Sequence, residues 1–305
     1  MILSELPFNT AAYQLTHEGL KIKIGRFNTL VKLSPIPSLL NEFYRLYQHS
    51  LLVKQDDFID FPISLLLTPG VRSFIKPQIN FDFCGLQPFE PLPAVQALPL
   101  LEWGMNWCVS QHYHDSLIIH AAVIEKYGKA IVLPGLPGAG KSTLCAGLVH
   151  IGGWRLLSDE LTLIDLNSGK VLPNPRPISL KNQSINILDS LCPDIYHSNI
   201  VKDTAKGSVS LFQAPIDSVR RVDEAVDIKY VIFPRFIGDI AFELSELSKG
   251  RAFIELANQS FNYSILGELG FKAIAKQMDN ADCFELTYDG NLHEVAKVME
   301  QLALS

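Results

Sequence analysis

At 305 residues with 48% hydrophobic content, the chain can bury a large core, either as one elaborate domain or as two. A formal net charge of −6 supplies no general field for nucleic acid or an anionic membrane, which disfavours both as partners. Five scattered cysteines without C-x-x-C spacing suit a reducing cytoplasm; the lack of a signal-peptide pattern or an apolar run of about 18 residues argues against secretion and a membrane span.

Residues 1–94 read as a small α+β N-terminal region. Residues 19–24 alternate as a half-buried strand, and residues 37–47 place Leu39, Leu40, Phe43 and Tyr47 on one helical face. Residues 58–67 are rich in strand formers, and Asp56, Asp57 and Asp60 read as a solvated turn before them. Prolines crowd residues 87–94 and mark a boundary, because each X-Pro pair turns the chain away from helix. A second unit, residues 95–305, starts there. Residues 95–111 form its first expected helix and residues 117–124 a strand, which Tyr127-Gly128 turns back.

The next strand, residues 130–133, leads into Gly135-Leu136-Pro137-Gly138-Ala139-Gly140-Lys141-Ser142-Thr143, which fills every position of G-x-x-x-x-G-K-[ST]. Glycines let backbone N–H groups curl around an anion, Lys141 brings a mobile positive charge, and Ser142 opens a helix whose N-terminus faces the phosphates. Leu144, Cys145, Leu148 and Val149 then repeat at helical spacing, so the order is strand, glycine loop, helix. The expected ligand is a nucleotide held by its phosphates, with Ser142 offering an oxygen to Mg²⁺.

After a stop at Gly152-Gly153, residues 154–165 read as one strand broken by Ser158-Asp159-Glu160. Unpaired buried carboxylates cost several kcal/mol, so a cation or a substrate proton is the economical reason for them; the alternative is a plain turn. Arg176 and Lys181 sit in the proline frame of residues 173–181, either as phosphate contacts or as surface cations. Residues 198–210 look like a mobile loop, a lid or a connection. Residues 227–233 suggest a buried strand, 248–278 a helical region and 283–288 a late strand. A final helix follows, with Asn291 and Glu294 in a cap-like spacing.

The histidine-bearing strand around His120, the loop, and the acid pair Asp159-Glu160 on the next strand together resemble the HPr kinase/phosphorylase family and its relatives, the ATP-dependent phosphoenolpyruvate carboxykinases. The resemblance covers residues 117–164, and residues 174–181 and 282–288 are similar to the HPr-kinase-related proteins. It implies a P-loop-containing, HPr kinase/PEP carboxykinase-like α/β fold with a mixed-sheet core, and ATP and Mg²⁺ as cofactors. Carried over by position, His120 resembles the active-site histidine, Gly135 to Ser142 the ATP loop, and Asp159 and Glu160 the acidic pair. Three departures stand out: the second acid is Glu160 rather than aspartate, no Glu-Ile-Arg-Gly segment follows, and the N-terminal portion gives no clear match to the family.

The expected activity is ATP-dependent phosphorylation of a hydroxyl, with serine of a protein or peptide as the favoured acceptor. Asp159 takes the role of general base, while Lys141 and Mg²⁺ absorb charge on the transferring group. Ser142, Asp159 and Glu160 are the expected metal ligands, and His120 orients the nucleophile or the γ-phosphate. A small-molecule hydroxyl kinase and an ATP-gated binding module are the alternatives. The resemblance also suggests a homo-oligomer.

Overall fold

The computed structural model describes residues 1–70, 75–136, 138–238 and 242–304, so Pro137 of the glycine loop lies outside the described residues. The chain folds as a mixed α/β protein with mixed sheets. Its first half begins with α1 (Phe8–Thr16), β1 (Leu20–Ile24), β2 (Phe27–Leu33) and α2 (Pro37–Leu46), followed by β3 (Phe61–Leu67), β4 (Gln78–Phe83) and β5 (Leu92–Pro93). These strands make a five-stranded sheet in chain order, antiparallel except where β2 and β3 run parallel. That parallel pair needs a crossover, and α2 supplies it. Pro37 opens the helix at a position where its missing N–H is harmless, and Leu39, Leu40, Phe43 and Leu46 bury one face. The next helix, α3 (Ala97–His112), packs into the same core through Leu98, Leu101, Met105 and Val109. Its Gly104 is a close-approach position: a Cβ there would lie 2.1 Å from the Phe81 ring.

The central sheet is built from β6 (Ser116–Lys126), β7 (Lys129–Pro134), β8 (Arg155–Ser158), β9 (Leu161–Asp165) and β10 (Val171–Leu172), and from strands late in the chain. Between the two groups come α4 (Lys141–His150), β11 (Ile178–Lys181), α5 (Gln183–Leu191), β12 (Val201–Thr204), β13 (Gly207–Phe212) and α6 (Ile216–Arg220). The chain closes with β14 (Asp227–Phe236), β15 (Glu243–Glu246), α7 (Lys249–Asn258), α8 (Tyr263–Leu266), α9 (Glu268–Asn280), β16 (Asp282–Tyr288) and α10 (Leu292–Leu304). Sheet order is β10-β9-β6-β7-β14-β16-β15, with β8 also pairing β6, and β7, β14 and β16 run parallel at its centre.

Both faces of this sheet are covered, so β7 reads as a continuous apolar run rather than an alternating one. Ile131 and Leu133 join a core shared with α4 and α10, while Ala130 and Val132 join one shared with α7 and α9. The cap foreseen for α10 is present: the Asn291 carboxamide oxygen accepts the Glu294 N–H at 3.2 Å.

Two expectations change. Residues 154–165 are not one strand but two, β8 and β9, with Asp159 and Glu160 at the corner between them. Both strands pair with β6, β9 along Ser116–His120 and β8 along Val123–Glu125, and a register shift lies within the β8 pairing. Residues 198–210, read as a loop, form most of the β12–β13 hairpin, which joins β11 in a separate three-stranded sheet. The edge strand β12 carries exposed Lys202 and Asp203, and Ser208 and Ser210 interrupt the apolar residues of β13, which weakens the hydrophobic period that would have announced the hairpin.

Candidate functional site

The glycine loop leaves the C-terminal end of β7 and turns into α4 at Lys141. Gly140 takes φ +84°, a left-handed conformation that glycine adopts without strain. Space demands glycine as well, since a Cβ there would sit 2.5 Å from the Tyr288 hydroxyl oxygen. Lys141 is buried, and its ammonium donates to the carbonyl oxygens of Gly135 and, at 3.3 Å, Leu136. Burial lowers its pKa, with Asp159 as the leading opposing influence. The Thr143 and Ser184 hydroxyls meet at 2.6 Å, tying the first turn of α4 to α5.

Beside this loop opens a cleft of about 720 Å³, within the range of small-molecule sites. Its walls bring together His120, Lys141, Ser142, Asp159, Glu160 and Lys181, and also Leu136, Gly138, Gly140 and Thr143. Gly135 and Ala139 line a second cavity on the other side of the loop. Residues spread over more than 60 positions thus share one wall because β6 pairs with β9: His120 lies opposite Leu161, next to Glu160.

Arg176 is placed differently. Read from sequence as either a phosphate contact or a surface cation, it is instead buried beneath the acid pair and does not line the cleft. Its guanidinium pairs with Glu102 at 3.3 Å and donates to the Asn106 side-chain oxygen. Asn106 in turn donates to Glu160 Oε2 at 2.5 Å, and the Tyr47 hydroxyl donates to Glu102. A chain of buried polar groups therefore runs from α2 and α3 to the floor of the cleft. Burial pushes the Tyr47 hydroxyl well above its ordinary value and keeps it a donor; Glu102 is likewise raised by burial, opposed chiefly by Arg176.

The two acids part company electrostatically. Asp159 is pushed up to about 6, first by burial and then by the neighbouring Glu160 charge. The Ser179 N–H, at 3.2 Å, and the Ser142 hydroxyl act in the opposite sense. For Glu160 burial also acts upward, but Lys206, Lys181, Arg176 and His120 outweigh it and hold its carboxyl below the usual range. His120 is lowered by burial and by Lys141, which keeps its ring neutral at pH 7. Two carboxylates whose environments push them apart in this way divide acid–base labour: one is poised near neutrality, the other is a fixed anion.

Asp159 Oδ1 is buried and has no hydrogen-bond partner. An orphaned carboxylate oxygen next to the Ser142 hydroxyl, with Glu160 adjacent, fits a hard cation such as Mg²⁺, which takes one or two carboxylates and fills the rest of its shell with phosphate and water. Among the described residues no group of three or more His, Cys, Asp or Glu side chains is placed to hold a metal ion.

Lys206 was missed by sequence reasoning. It sits between β12 and β13, lines the cleft, lies 3.8 Å from Glu160 and stands 5.4 Å over the Trp103 ring. The only available signal was a lysine beside a glycine in a polar stretch, which is also what an ordinary turn looks like. With it, the cleft carries Lys141, Lys181 and Lys206 against Asp159 and Glu160, an excess of positive charge suited to an anionic ligand.

Comparison of the chain with protein-family models and with curated proteins finds no match. No helix among the described residues is long and apolar enough to cross a membrane.

Proposed function

We propose that the protein is an ATP-dependent kinase of the HPr kinase/PEP carboxykinase-like kind, transferring the γ-phosphoryl group to a hydroxyl, with serine of a protein or peptide as the favoured acceptor. The observation that carries this is Asp159: a carboxylate raised to about 6, with one orphaned oxygen, beside Ser142 and across the cleft wall from Lys141. A general base works best when its pKa lies near the operating pH, and an ordinary surface aspartate does not meet that condition.

On this reading the nucleotide's phosphates enter the loop and the Lys141 ammonium exchanges the carbonyls of Gly135 and Leu136 for phosphate oxygens. Ser142 and Asp159, supported by Glu160, would hold Mg²⁺, which when bound neutralises charge on the β- and γ-phosphates. Asp159 accepts the acceptor's hydroxyl proton as the new O–P bond forms and the bond to the β-phosphate oxygen breaks, leaving ADP. Lys141 meets the charge that develops on the transferring group. Neutral His120, on the same wall, orients the acceptor oxygen by hydrogen bonding. Lys181 and Lys206 line the same cleft and attract an anionic reactant.

The test is incubation of purified protein with γ-labelled ATP, Mg²⁺ and a source lysate. Label should appear on serine in the protein fraction with wild type and be lost with Lys141→Ala and with Asp159→Asn. Label confined to the low-mass fraction would make the acceptor a small alcohol. Absence of transfer to any species, with unchanged ATP consumption by Asp159→Asn, would refute the proposal.

A further inference from the structure

The glycine loop has two sides, and only one of them is used by the chemistry above. On the other, a cavity of about 430 Å³ opens where the C-terminal end of β14 meets β16 and α7. Phe233, Pro234, Phe236, Ile237 and Leu247 give it apolar walls, and Gly135, Leu136 and Ala139 of the loop form its near edge. Leu136 also lines the 720 Å³ cleft, so the two spaces meet at the loop.

We infer that this second cavity is the nucleoside end of the site and takes a purine base stacked on Phe236. The inference rests on the phosphate-loop reading and adds where the remainder of the ligand goes. Three observations converge. Topologically, β7 has the acid-pair strands on one side, beyond β6, and its parallel neighbour β14 on the other. Ligands of open α/β sheets lie outside the carboxyl ends of the strands, so a nucleotide anchored at β7 with its γ-phosphate toward Asp159 extends its base toward the end of β14. Chemically, Phe236 is 52% exposed, a large aromatic surface left wet in the wall of a cavity beside a phosphate loop. A base stacked on it removes that surface from water.

The third observation is the polar rim. Glu255 and Gln259, one helical turn apart in sequence at the end of α7, supply a carboxylate that accepts and an amide that both donates and accepts. Arg251, paired with Glu285 at 3.0 Å, adds a donor. An apolar slot with a few polar groups of both kinds matches a planar heterocycle with a mixed hydrogen-bonding edge. The rim is also wired to the catalytic wall: the carbonyl of Gln259 accepts the His120 backbone N–H at 2.8 Å, and Phe261 N–H donates to Ile118. Phe236 itself packs against Tyr288, whose hydroxyl donates to the Gly140 carbonyl at 3.3 Å.

The deciding experiment is calorimetric titration of wild type, Phe236→Ala and Lys141→Ala with Mg²⁺-ATP and with Mg²⁺-tripolyphosphate, which has the phosphates but no base. Wild type should bind ATP at least about tenfold more tightly than tripolyphosphate. Phe236→Ala should remove most of that difference and leave tripolyphosphate unchanged, whereas Lys141→Ala should weaken both. Equal affinity of wild type for the two ligands, or equal losses for both in Phe236→Ala, overturns the base site while leaving the phosphate loop standing. If wild type binds neither ligand, the phosphate-loop reading fails and the base site falls with it. Glu255→Ala provides a second variant on the half-exposed helix surface: it should change ATP and GTP affinities unequally without altering tripolyphosphate, and no change in either nucleotide removes the rim from the site.

Discussion

Replacing Asp159 by asparagine should make the protein more stable. The carboxyl is buried and raised from the ordinary 3.8 to about 6, so holding it ionised in the empty fold costs about 3 kcal/mol. Between those two pH values the folded chain binds more protons than the unfolded one. The stabilisation that the protonated form provides is therefore complete below pH 3.8 and is lost as pH rises through about 6. Asparagine keeps the shape and an acceptor for the Ser179 N–H, and it does not titrate. In urea unfolding without nucleotide or Mg²⁺, the stability advantage of Asp159→Asn should be near zero at pH 4 and approach about 3 kcal/mol at pH 8. Adding Mg²⁺-ATP should then stabilise wild type more than the variant, because the cation neutralises the charge that the bare fold tolerates poorly. An advantage that does not change with pH, or a variant less stable than wild type at pH 8, would refute both the buried-charge account and the base assignment built on it.

The same carboxyl must be ionised to accept a proton, so kcat/KM for phosphoryl transfer should fall as pH is lowered, along a limb that lies near pH 6 at limiting Mg²⁺ and moves to lower pH as Mg²⁺ is raised, because a cation beside Asp159 favours its ionised form. Asn106→Leu should raise the Mg²⁺ concentration for half-maximal turnover and lower the urea midpoint by an amount equivalent to about 1–3 kcal/mol, since it strips a partner from both Glu160 and Arg176. Arg176→Leu breaks the buried pair with Glu102 and should cost about 3–5 kcal/mol in the same assay, more than Asn106→Leu does. Gly104→Ala should lower the urea midpoint by the equivalent of about 1–3 kcal/mol through overpacking against Phe81, with tripolyphosphate affinity unchanged in calorimetry.

Much of the central architecture was legible because its signals are local. The strand ending at Pro134, the loop and the helix opening at Lys141 occupy consecutive positions, and an apolar run, glycines and a 3.6-residue period each announce themselves without a partner. The β14 and β16 strands and the capped α10 were readable for the same reason. The corner at Asp159 was not, because one broken strand and two short ones have the same apolar pattern; pairing of both with β6 decides between them. Lys206 and Arg176 show the complementary failure. Both are cations in polar or proline-rich stretches, yet one faces the cleft and the other lies buried under it, and only the packing of the β12–β13 hairpin and of α3 distinguishes them.

What this sequence determined by itself is a set of chemical capacities: a loop shaped for phosphate, a lysine to meet it, and a histidine and two acids near it in the chain. Tertiary structure decided how those capacities are tuned. Asp159 and Glu160 are adjacent and nearly the same chemically, and no local rule ranks them. Asp159 is the more deeply buried, against Ser142 and Ser179, while Glu160 stands among Lys206, Lys181 and Arg176, brought there from distant parts of the chain. Desolvation and long-range charge depend on what surrounds a group in space, and that surrounding exists only once the chain has folded.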